Sequence, residues 1–88
     1  MFFCIAANVE TNERYFANTR AWVAAEGRTA PLAILEKRDQ RLWDLREAAN
    51  QAACTIPNHE IRRRYLRLAI AIEEYEDLTD LICLASGY

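Results

Sequence analysis

The residues best equipped for chemistry lie in the last third of the chain. Arg62, Arg63, Arg64 and Arg67 crowd four guanidiniums into two helical turns, and each offers a planar fork of donors that fits carboxylates or phosphates. An acidic cluster follows, with Glu73, Glu74, Glu76, Asp77 and Asp80. Glu73 with Asp77 and Glu76 with Asp80 stand four apart, a spacing that puts each pair on one helix face within reach of a hard cation. No loop of alternating oxygen ligands accompanies them, so a calcium site is not encoded. His59 is the single histidine, which excludes a His-based metal cluster and any HExxH or ExxH pattern. No Gly-rich phosphate-cradling motif occurs. Neither a catalytic dyad nor a cofactor or metal site is expected, and the chain reads as a non-enzyme.

Composition bounds the partners. The chain has 88 residues with 11 Lys and Arg against 13 Asp and Glu, a net charge of −2. No global field draws it to nucleic acid or to an anionic membrane. The opening MFFCIAA is apolar for only seven residues with no positive charge before it, so it is expected neither as a signal peptide nor as a membrane span. Cys4, Cys54 and Cys83 are odd in number and widely spaced. They encode neither a disulfide framework nor a zinc site, and they fit a reducing cytoplasm. All three are expected as small buried hydrophobes, with exposure open to Cys4 and Cys83 near the termini.

The elements that must position these residues are helices. A hydrophobic share of 52% with two Gly and two Pro argues against disorder and against strands joined by turns. The fold class is therefore all-α: an antiparallel three-helix bundle, or a long helical hairpin with a packed N-terminal helix, formed as one domain over 1–88. The third helix is the organising rod, expected over 57–86. Pro57 suits its first turn, with Asn58 as the alternative cap, and Gly87 stands just beyond its end. Its stripe, Ile61, Tyr65, Leu68, Ile72, Tyr75, Thr79 and Ile82, alternates steps of four and three and requires a partner helix.

The first helix is expected over 9–26, capped by Asn8, favoured by Glu10 and Glu13 in its first turn and ended by Gly27. Its stripe is Val9, Asn12, Phe16, Thr19 and Val23, flanked by Tyr15 and Trp22; whether residues 2–7 extend it is left open. The second helix is expected over 31–55, with Thr29 as cap, and its stripe is Leu35, Arg38, Leu42, Leu45, Ala49, Ala52 and Ile56. Leu32 and Trp43 join one flank. The small residues of AANQAA, 48–53, invite close approach of a neighbour.

Connections this short make successive helices antiparallel. Laying Ile56 beside Ile61 sets Ala49 near Leu68, Leu45 near Ile72 and Leu35 near Ile82. The same alignment sets Arg41 near Glu76, and Lys37 and Arg38 near Asp80. It leaves the arginine cluster opposite the uncharged 48–54 segment. Basic residues early and acidic residues late oppose the helix dipole at about 0.3 to 1 kcal/mol per terminal charge. The plain interpretation is a solvated face with acidic neighbours from another helix. The functional interpretation is a guanidinium cluster that meets an acidic partner.

Three successive arginines sweep about 200° of helix, so one should be held by the bundle while others project. Arg63 and Arg67 are the choice for the projecting edge, and Trp43 for a separate apolar anchor. The end of the third helix is apolar on every side. Leu78, Leu81 and Leu84, with Trp22 and Tyr88, are accordingly expected to serve self-association as a homodimer. Together these features point to a protein-interaction module, a regulator or inhibitor binding a protein with an acidic patch; bacteriophages encode inhibitors of host bacterial proteins in this size class. The alternatives are a nucleic-acid-binding or DNA-mimicking helical protein, and a small helical enzyme with an Arg-lined anion site. The acidic patch is small and paired for mimicry, and a single lysine, Lys37, leaves few cations to converge on a pocket.

Overall fold

A computed structural model describes residues 8–79 as three helices: α1 (Val9–Glu26), α2 (Leu32–Thr55) and α3 (His59–Thr79). Each starts for a local reason. The Asn8 side chain accepts the Thr11 amide at 2.9 Å and so caps α1 as its sequence suggests. At α3 the cap is Asn58, whose side-chain oxygen accepts the Ile61 amide at 3.1 Å. Pro57 therefore lies before the helix rather than in its first turn, because a proline side chain has no acceptor to offer the free amides. Thr29 also departs from expectation. Its hydroxyl donates to the Glu26 carbonyl at 3.3 Å and serves the end of α1, while Pro31 opens α2 with no side-chain cap. The end of α3 expected at 86 lies outside the described residues.

Gly27 closes α1 by close approach and not by left-handed backbone. Its φ and ψ are −59° and −38°, and its amide donates to the Val23 carbonyl at 2.9 Å. A Cβ there would sit 2.6 Å from that same carbonyl oxygen, closer than side-chain carbons pack. Only glycine lets the chain turn so tightly.

Packing follows the stripes. In α1 all five stripe residues, Val9, Asn12, Phe16, Thr19 and Val23, are buried. In α2 the buried set is Leu35, Leu42, Leu45, Ala49 and Ala52, and from α3 it meets Tyr65, Leu68, Ala69 and Ile72. α2 and α3 form the main pair, with α1 laid across both. The particle is elongated, 43 × 22 × 17 Å, its long axis exceeding the roughly 36 Å that 1.5 Å per residue gives for the 24-residue α2. Small Ala49 and Ala52, fully enclosed, allow the close approach that their size suggests. Cys54 behaves otherwise. It is exposed with a free thiol, because two residues beyond Ala52 it has turned about 200° away from the seam. Leu32 and Trp43, on the flank of α2, are also nearly half exposed.

Two polar residues enter this core and meet different fates. The Asn12 amide donates to the Tyr65 hydroxyl at 2.9 Å inside the α1–α3 contact. Thr19, 1% exposed, has a hydroxyl with no hydrogen-bond partner. A buried unpaired hydroxyl costs on the order of 1 to 3 kcal/mol. Thr19→Val keeps the shape and removes that cost, so it is expected to raise the thermal midpoint by several degrees. A calorimetric midpoint at or below the parent's would show that the hydroxyl is satisfied after all.

Candidate protein-interaction surface

The four arginines start α3, where Asn58 sets the helix and the seam residues Ile61, Tyr65 and Leu68 fix its rotation. That rotation distributes them. Arg64 turns toward α1 and grips Glu13 with two prongs, Nε to Oε2 at 3.2 Å and Nη2 to Oε1. Donating these hydrogen bonds to the Glu13 carboxylate raises the Arg64 pKa above its ordinary value, with partial desolvation opposing and the fields of Glu13, Glu10 and Glu60 adding to it. Arg62 stays near its own first turn, Nη2 lying 3.4 Å from His59 Nδ1. Arg63 and Arg67 are exposed and form no ion pair among the described residues. With Glu60 and Arg64 they border a shallow surface depression. One arginine held and two projecting is the distribution that the sequence requires.

The acidic half is also redistributed. Glu76 pairs with Arg46, Oε1 to Nε at 3.8 Å, and not with Arg41. Arg41 and Arg46 are five apart, which places them about 140° from each other around α2, on opposite flanks of the seam. Glu76 lies on the Arg46 flank, whereas Arg41 borders the α1 side together with Tyr15, Ile34, Lys37 and Arg38. Glu73 and Glu74 are exposed and make no ion pair among the described residues. Asp80 lies outside the described residues, as do Leu81, Leu84 and Tyr88 and the side chain of Leu78.

The two tryptophans differ. Trp22 is partly buried, with the Arg38 guanidinium 4.2 Å above its ring. That stacking uses one ring face within the chain. Trp43 is 46% exposed on α2, with the Arg46 guanidinium 5.8 Å from its ring centre. It stands on a different helix from Arg63 and Arg67.

Two residues at this surface escape a search for core stripes. Leu66 and Ile70 are 48% and 47% exposed. They stand four apart on the side of α3 turned away from the seam, directly between Arg63 and Glu73 on the same face. The signal for them is an apolar pair off the three-four pattern, bracketed by charge. Among the described residues no three His, Cys, Asp or Glu side chains come together as a metal site would need, and no helix is long and apolar enough to cross a membrane. No protein-family model matches this chain, and neither a curated protein nor a solved structure matches it.

Proposed function

We propose that the protein is a small non-enzymatic interaction module, a regulator or inhibitor that acts by binding another protein through the outer face of α3. The carrying observation is that Arg63 and Arg67 project, without an ion pair among the described residues, beside the half-exposed Leu66 and Ile70. Apolar centres with guanidiniums at their edge match the composition of interface cores, where Arg is enriched and Lys is depleted. The partner this face suits carries an acidic patch, with Trp43 as a second apolar anchor. The exposed thiol of Cys54 is best kept reduced, which supports a cytoplasmic setting.

Reversing Arg63→Glu and Arg67→Glu together is expected to leave the fold intact, because both side chains are exposed. Association should slow by about tenfold at low salt, with the difference shrinking as salt rises. Capture from lysate identifies the bound species, and stopped-flow or surface-based kinetics read the rate. An unchanged rate and affinity at low salt would reduce the cluster to a solvated face.

A further inference from the structure

The outer face of α3 contains its own complement. At about 100° per residue, Arg63, Leu66, Ile70 and Glu73 fall on one stripe opposite the seam, with Arg62, Arg67 and Glu74 at its borders. Read from its middle, the stripe is antisymmetric in charge: apolar at the centre, basic on one side and acidic on the other. Arg63, Arg67, Glu73 and Glu74 have no ion pair among the described residues. The arrangement also opposes the dipole of α3 itself, with cations early and anions late.

From this pattern we propose that the face is the two-fold interface of a homodimer, with α3 of a second copy packed antiparallel across it. The inference rests on α3's outer face being the interaction surface and names its occupant in the isolated protein: Glu73 and Glu74 of a second copy supply the acidic patch, and a different protein binding this face displaces that copy. A two-fold axis at the level of Leu68 brings Leu66 level with Ile70 of the second copy. It brings Arg62 and Arg63 level, within about 1.5 Å along the axis, with Glu73 and Glu74 of that copy. Because the contact is isologous, each such pairing occurs twice. Antiparallel packing also sets the basic first half of each α3 beside the negative pole of the other helix, which offsets the unfavourable dipole placement. A parallel pairing would set arginine against arginine and glutamate against glutamate, so the charges select one orientation. This interface is distinct from the apolar end of the chain at Leu78, Leu81 and Leu84.

Charge reversal in both directions tests the proposal. The parent, the triple reversal Arg62→Glu, Arg63→Glu and Arg67→Glu, and Glu73→Arg with Glu74→Arg are compared by light scattering coupled to size exclusion at tens of micromolar. Circular dichroism checks each fold. The parent is expected to run as a dimer, and each reversed variant, now carrying like charges across the axis, as a monomer. An equimolar mixture of the two variants, one all acidic and the other all basic along the stripe, should recover the dimer mass. A parent dimer that both reversals leave intact would place self-association elsewhere and overturn the proposal, as would a mixture that stays monomeric. A monomeric parent would overturn it too. In that last case, if the arginine reversal still abolishes capture of a lysate protein, the interaction face stands and only the second copy is removed as its occupant. If the reversal leaves capture unchanged, both inferences fall.

Discussion

Leu45→Asp is expected to leave the chain unfolded at room temperature. Leu45 is 1% exposed in a core that also holds Leu42, Leu68 and Ile72. Truncating a buried leucine costs about 2 to 5 kcal/mol. A carboxylate at the same place adds several more, whether it stays charged without a partner or takes up a proton. A domain of this size has only about 5 to 10 kcal/mol in total, so the sum reaches or exceeds what is there. Far-UV circular dichroism should lose most of its helical signal. Ile34→Asp, the same chemistry at a site 43% exposed, should keep it. A cooperative, native-like melt of Leu45→Asp would mean that α2 does not turn this face to the core.

Such a contrast is legible in the sequence, because helical spacing reports the angle of a side chain around its axis. Val9, Asn12, Phe16, Thr19 and Val23 share one angle and are buried together. Leu35, Leu42, Leu45, Ala49 and Ala52 do the same in α2. Even the polar members Asn12 and Thr19 follow the rule, since rotation about the helix is decided by the apolar majority. What spacing does not report is which flank of a two-helix pair receives the third helix. That choice sends Arg64 to Glu13, gives Glu76 to Arg46 instead of Arg41, and places Arg38 over Trp22. Each of these pairings joins residues more than a dozen positions apart through long side chains, and a shift of one position in register rearranges them all.

The candidate surface divides the same way. That one arginine of the cluster would be held and others would project follows from their angular spread, but the identity of the held one depends on α1. Leu66 and Ile70 had no place in a search for core stripes because they sit on the wrong side of the helix. Their exposure becomes informative only once Tyr65, Leu68 and Ile72 are known to fill the seam. Caps were legible where asparagine supplies them, at Asn8 and at Asn58, the alternative to Pro57. Asn8 acts as its type suggests, yet Thr29 has carbonyls of α1 within reach and bonds there instead.

The α1–α3 contact is the place where one side chain has the most to lose. Tyr65 is 1% exposed, and its hydroxyl accepts the Asn12 amide at 2.9 Å. Phe16 packs edge-on against Tyr75 further along the same contact, ring centres 5.6 Å apart, with Arg20 over both rings. Tyr65→Ala removes a whole aromatic ring and is expected to cost about 3 to 5 kcal/mol. Much of that loss should fall on the docking of α1, whose contacts with the other two helices are fewer than theirs with each other. Trp22 reports it directly. In a Trp43→Phe background it is the sole tryptophan, and its emission should shift to the red and lose its dependence on Arg38 as α1 loosens. Tyr65→Phe separates the ring from the hydroxyl. It keeps the packing but strands the buried Asn12 amide, at about 1 to 3 kcal/mol. Adding Asn12→Leu to Tyr65→Phe removes both members of the pair, and the double variant should recover what the stranded Asn12 amide cost. Urea melts of the parent, Tyr65→Phe, Asn12→Leu and the double variant close the cycle. A Tyr65→Phe variant as stable as its parent would show that the Asn12–Tyr65 bond contributes nothing to the docking of α1.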